Sequence, residues 1–187
     1  MKKLILLLSV LIISYSCKKD SNPDTSPEPN EEITEITADA INIVTGLQFQ
    51  YIDGSSLFTV GNPNVKNDSI FMFPVPAKNT LQVRSSTKID KVWILPAKKI
   101  DDQFQTKDFV VMLKNMDYDM SNSDATLVFS ASSTIANVTL DLNQYESGYY
   151  RIFIRLKSDG KVHWDNIYID RTNDYDEAAA LLRGEWE

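Results

Sequence analysis

GYYRIFIRLKSDGKVHWDNIYI, residues 148–169, is the stretch of sequence that decides the fold. Apolar side chains occupy every second position from Tyr150 to Leu156, while Arg151 and Arg155 fall between them. Successive side chains of a strand point to opposite faces, so the two sets face opposite ways. Ser158–Lys161 then supplies turn residues before a second β-rich run. The stretch therefore predicts a β-hairpin.

Working outward from this hairpin, short runs rich in β-branched and aromatic residues alternate with turn residues. This pattern predicts an all-β fold, an antiparallel β-sandwich over residues 41–170. The other candidate strands are Ile43–Tyr51, Leu57–Val60, Ser69–Phe73, Thr80–Ser85, Lys88–Leu95, Phe109–Lys114, Thr126–Ser130 and Asn137–Leu142.

The C-terminal tail, residues 171–187, has a different pattern. Strong helix formers run from Glu177 to Arg183, after an acidic start at Asp174 and before Gly184. Acidic residues favour the first turn of a helix, and a glycine commonly ends one. We therefore expect a short helix that stops at Gly184.

Two segments precede the predicted sandwich. Residues 17–40 are rich in Asn, Asp, Ser, Thr, Pro and Glu, with too few apolar side chains to offset the entropy of ordering, so they predict a flexible, disordered linker. Residues 1–16 combine Lys2 and Lys3 with an apolar run of about ten residues, half the length of a membrane span. We interpret this segment as an export signal peptide.

The end of that segment, Ser14-Tyr15-Ser16-Cys17, resembles the lipobox of bacterial lipoproteins. The resemblance implies that Cys17 is acylated and becomes the first residue of the mature chain. Ser14 departs from the leucine that the family favours there. The alternative is an ordinary secretory signal, but the single cysteine of the chain cannot form an internal disulfide and so needs another role.

Lys18-Lys19-Asp20 follows the cysteine, a start similar to that of many lipoproteins in Gram-negative bacteria with type IX secretion. The similarity implies an outer-membrane location with the protein exposed on the cell surface. The periplasmic leaflet is the alternative location.

Two blocks of the predicted sandwich resemble the immunoglobulin-like sorting domain of type IX secretion cargo. The first is 73–83, which opens Phe73-Pro74-Val75-Pro76-Ala77, with the strand 89–95 after it; the second is 138–152, which includes the start of the hairpin. The resemblance implies an immunoglobulin-like sandwich. Val75 replaces the family's usual Asn, and residues 96–136 exceed the family's central part.

Charge and composition exclude some functions. The formal charge of −7 becomes about −9 once Lys2 and Lys3 leave with the signal, so the surface repels nucleic-acid phosphates. His163 is the only histidine, which leaves a hydrolase triad or a multi-histidine metal site hard to build. We expect a solvent-facing or edge histidine, no enzymatic activity and no cofactor.

A weak calcium candidate lies in residues 117–124, where Asp117, Asp119 and Asp124 supply carboxylates. The segment lacks the glycine and the distal glutamate of an EF-hand loop. A polar loop whose side chains bond their own backbone is the favoured interpretation.

Aromatic side chains could form a glycan-binding platform, because flat rings stack on the apolar faces of sugars. The candidates are Trp93, Tyr118, Tyr149 and Trp164. A strand tryptophan of a sandwich usually packs in the core instead. Tyr149 and Tyr150 must face opposite ways, so we expect one of them outside.

Asp68-Ser69-Ile70 resembles the short acceptor motif for O-glycosylation in the same bacteria, which makes Ser69 a candidate for modification. An unmodified start of a strand is the alternative.

Together these features predict a non-enzymatic interaction module, anchored by lipid to the membrane, that binds a protein partner or an outer-membrane complex. A glycan-binding lipoprotein of a polysaccharide-uptake system is the alternative. A row of exposed rings would favour glycan, whereas an exposed aliphatic patch or a docked C-terminal helix would favour protein.

Overall fold

The computed structural model describes residues 42–61, 70–100 and 120–187. The strands in these ranges are β1 Ile43–Val44, β2 Gly46–Gln50, β3 Ser56–Gly61, β4 Ile70–Phe73, β5 Thr80–Lys99, β6 Thr126–Asp141, β7 Gly148–Leu156 and β8 Val162–Ile169. A 3-10 turn covers Met120–Asn122, and the helix α1 covers Tyr175–Trp186. The described chain is thus mostly β-sheet with one short C-terminal helix, as the sequence predicts.

The predicted hairpin is confirmed. β7 and β8 pair antiparallel in an unbroken register from Gly148 opposite Ile169 to Arg155 opposite Val162. β5 lies on the other side of β7 and pairs with it from Ile89 to Ala97. β7 is therefore a central strand, which explains why its apolar content is so high.

The four separate strands predicted at 80–85, 88–95, 126–130 and 137–142 are in fact two long ones. β5 is 20 residues long and β6 is 16. They pair antiparallel along most of their length, with register shifts between Arg84 and Ile89 where the sequence has Ser85-Ser86-Thr87. An irregular register interrupts the pairing without ending the strand, so the polar run does not break β5.

One apolar cluster, the first core, lies between the two halves of these strands. The first half of β5 contributes Leu81 and Val83, and its second half contributes Val92 and Ile94. β4 pairs only with the first half, from Gln82 to Ser85, and β7 only with the second. The arrangement is sandwich-like, since both halves bury side chains in the same core.

A second core covers the opposite face of β7, the face that holds Arg151. Phe153 is fully buried there, and Arg151 is also fully buried. The Arg151 guanidinium lies 3.9 Å from the ring centroid of Trp164, and its Nε donates to Asn166 Oδ1 at 3.1 Å. It also donates to the carbonyl of Ile43. These partners replace water for the buried charge.

The hairpin β2–β3 and helix α1 also contribute to the second core. β2 contributes Leu47 and Phe49, and Phe49 stacks on Phe58 of β3 with ring centroids 4.3 Å apart. The helix contributes side chains on one face, including Leu182 and Trp186. The segment predicted as a tail therefore packs as part of the domain.

Helix α1 begins as predicted and ends later than predicted. Asp174 is its N-cap and accepts a hydrogen bond from the backbone N–H of Glu177. The helix continues through Gly184 to Trp186, because Trp186 is 7% exposed and its packing outweighs the low helix propensity of glycine.

The start of the sheet also differs from prediction. Thr45 separates β1 from β2, so the predicted strand Ile43–Tyr51 is two strands. β1 pairs parallel with Lys98 and Lys99 of β5, which makes the sheet mixed and not wholly antiparallel. No helix in the described ranges is long and apolar enough to span a membrane.

Candidate functional site

A groove of about 450 Å3 opens on the surface where three segments meet. These are the turn after β2, the segment between β4 and β5, and the loop that leads from β8 into helix α1. We call it the Tyr51–Tyr175 groove. It is lined by Tyr51, Ile52, Pro74, Pro76, Ala77, Lys78, Asp170, Asn173, Asp174, Tyr175, Asp176 and Ala178.

The β2–β3 turn holds one wall of the groove in place. Gln50 and Val75 exchange backbone hydrogen bonds of 3.0 and 2.9 Å, which fixes the turn against the segment after β4. Within the turn, Asp53 Oδ1 accepts from the N–H and hydroxyl of Ser55, and these bonds lower the pKa of Asp53. The turn thus presents Ile52 to solvent with 74% of its surface exposed.

Two tyrosines form the aromatic part of the groove. The ring centroids of Tyr51 and Tyr175 are 5.1 Å apart, with the ring planes tilted by 34°. Tyr175 Oη donates to the carbonyl of Val75 at 3.1 Å, which orients its ring. Burial, with Tyr51 and Asp176 as lesser causes, raises the pKa of Tyr175 to about 12, so the phenol stays neutral.

Asp170 builds the opposite wall. Its carboxylate accepts four hydrogen bonds, two from Thr172 and two from Asn173, at 2.9 to 3.1 Å. Burial acts to raise its pKa, but these bonds outweigh burial and the pKa is lowered. Lys78 Nζ donates to the carbonyl of Asn173 at 3.2 Å, which ties the loop to the segment after β4. Asp170 is therefore a structural carboxylate.

The first turn of helix α1 supplies the acidic edge. Asp174 uses Oδ1 to cap the helix by accepting from Glu177 N at 3.0 Å. Asp176 follows in the first turn, and both residues are exposed. Carboxylates are stabilised at this end by the helix dipole. The site thus combines exposed apolar side chains and two tyrosines with an acidic edge.

The tryptophans proposed as glycan-stacking residues lie in the second core. Trp93 and Trp164 are each 7% exposed, so in the described part of the chain neither offers a free ring face. Each also lies against an arginine guanidinium, Arg155 for Trp93 and Arg151 for Trp164.

Tyr149 lies under the helix. Its hydroxyl donates to Glu185 Oε2 at 2.9 Å and accepts from Trp186 Nε1 at 3.1 Å. Burial, followed by the bond to the Glu185 carboxylate, raises the pKa of Tyr149 well above its ordinary value. Tyr149 is partly exposed and Tyr150 is buried, so the two rings face opposite ways as predicted, although the helix packs over Tyr149.

Several predicted site residues lie outside the described ranges: Cys17, Ser69, Asp117, Tyr118 and Asp119. Asp124 is exposed just after the 3-10 turn. Within the described ranges no three His, Cys, Asp or Glu side chains form a group that could hold a metal. His163 is partly exposed, with Nε2 3.2 Å from Asp159 Oδ2, which is a surface pair.

A second depression follows the exposed side of helix α1. Its lining includes Leu181, which is 57% exposed, together with Ala180, Gly184 and the carboxylates of Glu177 and Glu185. The docked helix therefore leaves an aliphatic strip with acidic flanks on the surface.

Tyr51, Ile52 and Tyr175 were not among the site residues predicted from the sequence. A signal for the first two exists, because an aromatic and an aliphatic residue stand directly before Asp53-Gly54, a turn pair that places them at a loop tip. Tyr175 carries no comparable signal.

Searches of the chain against protein-family models, curated proteins and solved structures returned no match. The fold and the groove define the class of protein: a mostly β domain with a docked C-terminal helix and an apolar surface groove that has an acidic edge.

Proposed function

We propose that this protein is a non-enzymatic interaction module that binds a protein partner through the Tyr51–Tyr175 groove. A lipid on Cys17 anchors it to the outer membrane, exposed on the cell surface, with the periplasmic leaflet as the alternative location. Residues 17–40 act as the flexible linker that lets the domain reach its partner.

One observation carries the proposal: Ile52 is 74% exposed beside a tyrosine pair, in a groove whose shape is held by backbone hydrogen bonds. Exposed apolar side chains that cluster in a concavity are typical of protein-binding sites. Aromatic residues at such a site lose little conformational entropy on binding and bury much area. The docked helix and its exposed Leu181 also favour a protein partner over a glycan.

A glycan remains the alternative ligand, supported by one feature of the groove. Tyr51 and Tyr175 lie beside the carboxylates of Asp174 and Asp176, and ring stacking with hydroxyl-to-carboxylate bonds is how many proteins hold sugars. The tilt of 34° between the rings leaves no single flat platform, which favours the protein partner.

We also propose that the domain is an immunoglobulin-like sandwich related in architecture to type IX sorting domains. Two features support this proposal. The first core is formed by side chains from both halves of β5 and from β6, and the hairpin β7–β8 lies at the end of the sheet. The lipid anchor makes a sorting role unnecessary, so the resemblance bears on architecture.

Photocrosslinking in intact cells tests the groove. A photoreactive amino acid at Ile52 should give a discrete protein adduct, and the same residue at Leu127, 49% exposed and outside the groove, serves as the matched control. Adding Asp174→Asn and Asp176→Asn to the Ile52 probe should reduce the yield. Equal adducts at both positions, or adducts that a glycosidase digests, would contradict the proposal.

The anchor has its own test. Cys17→Ala should leave the precursor uncleaved or release the protein from membranes, since one residue carries the lipid. Normal membrane retention of a cleaved variant would remove the anchor from the proposal without affecting the groove.

A further inference from the structure

The two tyrosine rings of the Tyr51–Tyr175 groove indicate which chemical group can bind there. Stacked or tilted tyrosine rings attract a flat cation through the negative charge of the ring face, and arginine is the planar cation of proteins. Arg151 and Arg155 already use this geometry on Trp164 and Trp93 inside the same domain. A guanidinium is therefore chemically suited to the groove.

The hydrogen-bonding groups at the edge of the groove are mostly acceptors. The Asp176 carboxylate makes no hydrogen bond or ion pair within the described ranges, and Asp174 commits only Oδ1 to the helix cap. Both carboxylates are exposed. They offer acceptor oxygens to a ligand without breaking any bond of the fold.

Three side-chain donors of the groove are engaged with the protein. Lys78 Nζ donates to the Asn173 carbonyl, Asn173 Nδ2 donates to Asp170 Oδ2, and Tyr175 Oη donates to the Val75 carbonyl. A sugar presents both donors and acceptors, whereas a guanidinium presents five donors and no acceptor. The groove matches the donor-only ligand better.

Charge supports the same ligand. Three aspartates and one lysine line the groove, so its formal charge is −2. The whole chain is also acidic, at −7. A cationic partner is attracted at long range and then held at short range.

The same chain supplies no arginine to the groove. All five arginines, at positions 84, 151, 155, 171 and 183, lie in the described ranges and outside the lining of the groove, so the linker residues 17–40 hold none. That linker also carries Glu31 and Glu32, which the acidic edge repels.

We propose that the groove binds an arginine side chain of the partner protein, with the guanidinium over a tyrosine ring and paired with Asp174 or Asp176, and with an apolar neighbour against Ile52. This inference rests on the proposed function and narrows it to an arginine-bearing segment.

The test uses the full-length chain in non-ionic detergent as bait for a phage library of random seven-residue peptides. Clones that bind the wild-type chain and not Ile52→Asp are groove-dependent. We expect arginine to be enriched in these clones beside an aliphatic residue. Groove-dependent clones without arginine enrichment, or with lysine enriched equally, would overturn the arginine inference while leaving protein docking in place.

The enriched peptide is then synthesised with arginine and with citrulline, which has nearly the same shape and no charge. Citrulline should weaken binding about ten-fold, because it loses both ring attraction and ion pairing. Asp176→Asn should weaken the arginine peptide about three- to five-fold, and so should Asp174→Asn, which keeps the helix cap. Asp124→Asn, an exposed aspartate outside the groove, is the matched control and should change nothing.

Two further results would decide against the inference. Equal binding of the arginine and citrulline peptides would overturn it, even if Ile52→Asp abolishes both. A complete absence of groove-dependent clones, with glycan binding that Tyr51→Ala abolishes, would overturn both the inference and the proposed function. Far-UV circular dichroism of each variant shows that the comparison is between folded proteins.

Discussion

Replacing Trp186 by alanine tests whether the C-terminal helix belongs to the folded domain. Trp186 is 7% exposed and lies in the second core with Ala179 and Leu182 of the same helix. Its Nε1 donates to Tyr149 Oη at 3.1 Å, and the Lys99 ammonium lies 4.9 Å from its ring centroid. The side chain therefore joins the helix to β5 and β7 by packing, hydrogen bonding and a cation–π contact.

The expected cost follows from that environment. Truncating a buried tryptophan to alanine typically costs roughly 3 to 5 kcal/mol, through lost burial and the cavity left behind. The hydrogen bond to Tyr149 places the expectation in the upper part of that range, because the Tyr149 hydroxyl also loses a donor. A domain stable by about 5 to 15 kcal/mol would lose roughly a quarter of its stability or more. We expect the melting temperature to fall by roughly 10 °C or more.

Urea unfolding followed by far-UV circular dichroism measures the change without using tryptophan fluorescence, which the substitution itself alters. Leu181→Ala is the matched control on the same helix: Leu181 is 57% exposed and should cost under about 0.5 kcal/mol. If Trp186→Ala is no more destabilising than Leu181→Ala, the helix is not docked as described and the reasoning fails.

Three other changes have defined outcomes. Gly61 has φ +61°, and a Cβ added there would lie 2.4 Å from the Trp186 ring and 2.6 Å from the Thr45 carbonyl. Gly61→Ala should therefore lower the free energy of urea unfolding by at least about 2 kcal/mol. A neutral effect would mean that the ring lies elsewhere. Burial raises the pKa of Asp165 to about 6, so between about pH 4 and pH 6 the folded state holds a proton that the unfolded state has lost. The free energy of unfolding should therefore fall as the pH rises from about 4 to about 6. The fall should reach at most about 3 kcal/mol, and Asp165→Asn should flatten it; an unchanged profile in that variant would assign the pH dependence to other groups. Arg171 donates to the carbonyls of Lys78, Leu142 and Tyr145. Arg171→Lys keeps the charge but not the planar guanidinium, so it should lower the free energy of unfolding by about 2 kcal/mol in the same assay. A loss no larger than that of Arg183→Lys, at the exposed end of the helix, would refute this role.

The elements that the sequence predicts well are those whose partners lie next to them in the chain. The hairpin β7–β8 needs only alternation and a turn, and both lie between Gly148 and Ile169. Helix α1 needs only a cap and a run of helix formers, which Asp174 and the following residues provide. The predicted end of the helix at Gly184 was wrong, because Trp186 packs against residues that are distant in the chain and the local pattern holds no information on that packing.

The long strands show the opposite case. Ser85-Ser86-Thr87 has the composition of a turn, and one strand was predicted to end at Ser85 and the next to begin at Lys88. The strand continues through this run because pairing with β6 resumes beyond it: Arg84 lies opposite Asn137, and Ile89 lies opposite Ile135. Pairing over such a separation in sequence cannot be inferred from local composition, so two strands were predicted where there is one.

The second core could not be predicted from the sequence, because Arg151 lies on the face of β7 that this core covers. Arg151 between apolar residues suggests a solvated face, because an arginine is rarely buried without partners. Here Asn166, Trp164 and the Ile43 carbonyl are those partners, and the first two come from the adjacent strand β8. With the charge satisfied, both faces of β7 can be buried, which is why Trp93 and Trp164 became core residues and not glycan-stacking candidates on the surface.

The helix links the stability of the domain to its proposed binding site. One face of α1 buries Leu182 and Trp186 in the second core, while its first turn contributes Tyr175 and Asp176 to the groove. A short helix in water is held mainly by the packing of its apolar face, so loosening Trp186 should also displace the groove residues. Trp186→Ala should therefore weaken binding of an arginine peptide although Trp186 does not line the groove. Asp176→Asn should weaken binding while lowering stability by under about 1 kcal/mol, the size of a lost helix-dipole interaction. Measuring both quantities for both variants separates contact with the ligand from support of the site, because the loss of affinity accompanies a large loss of stability in the first variant and only a small one in the second.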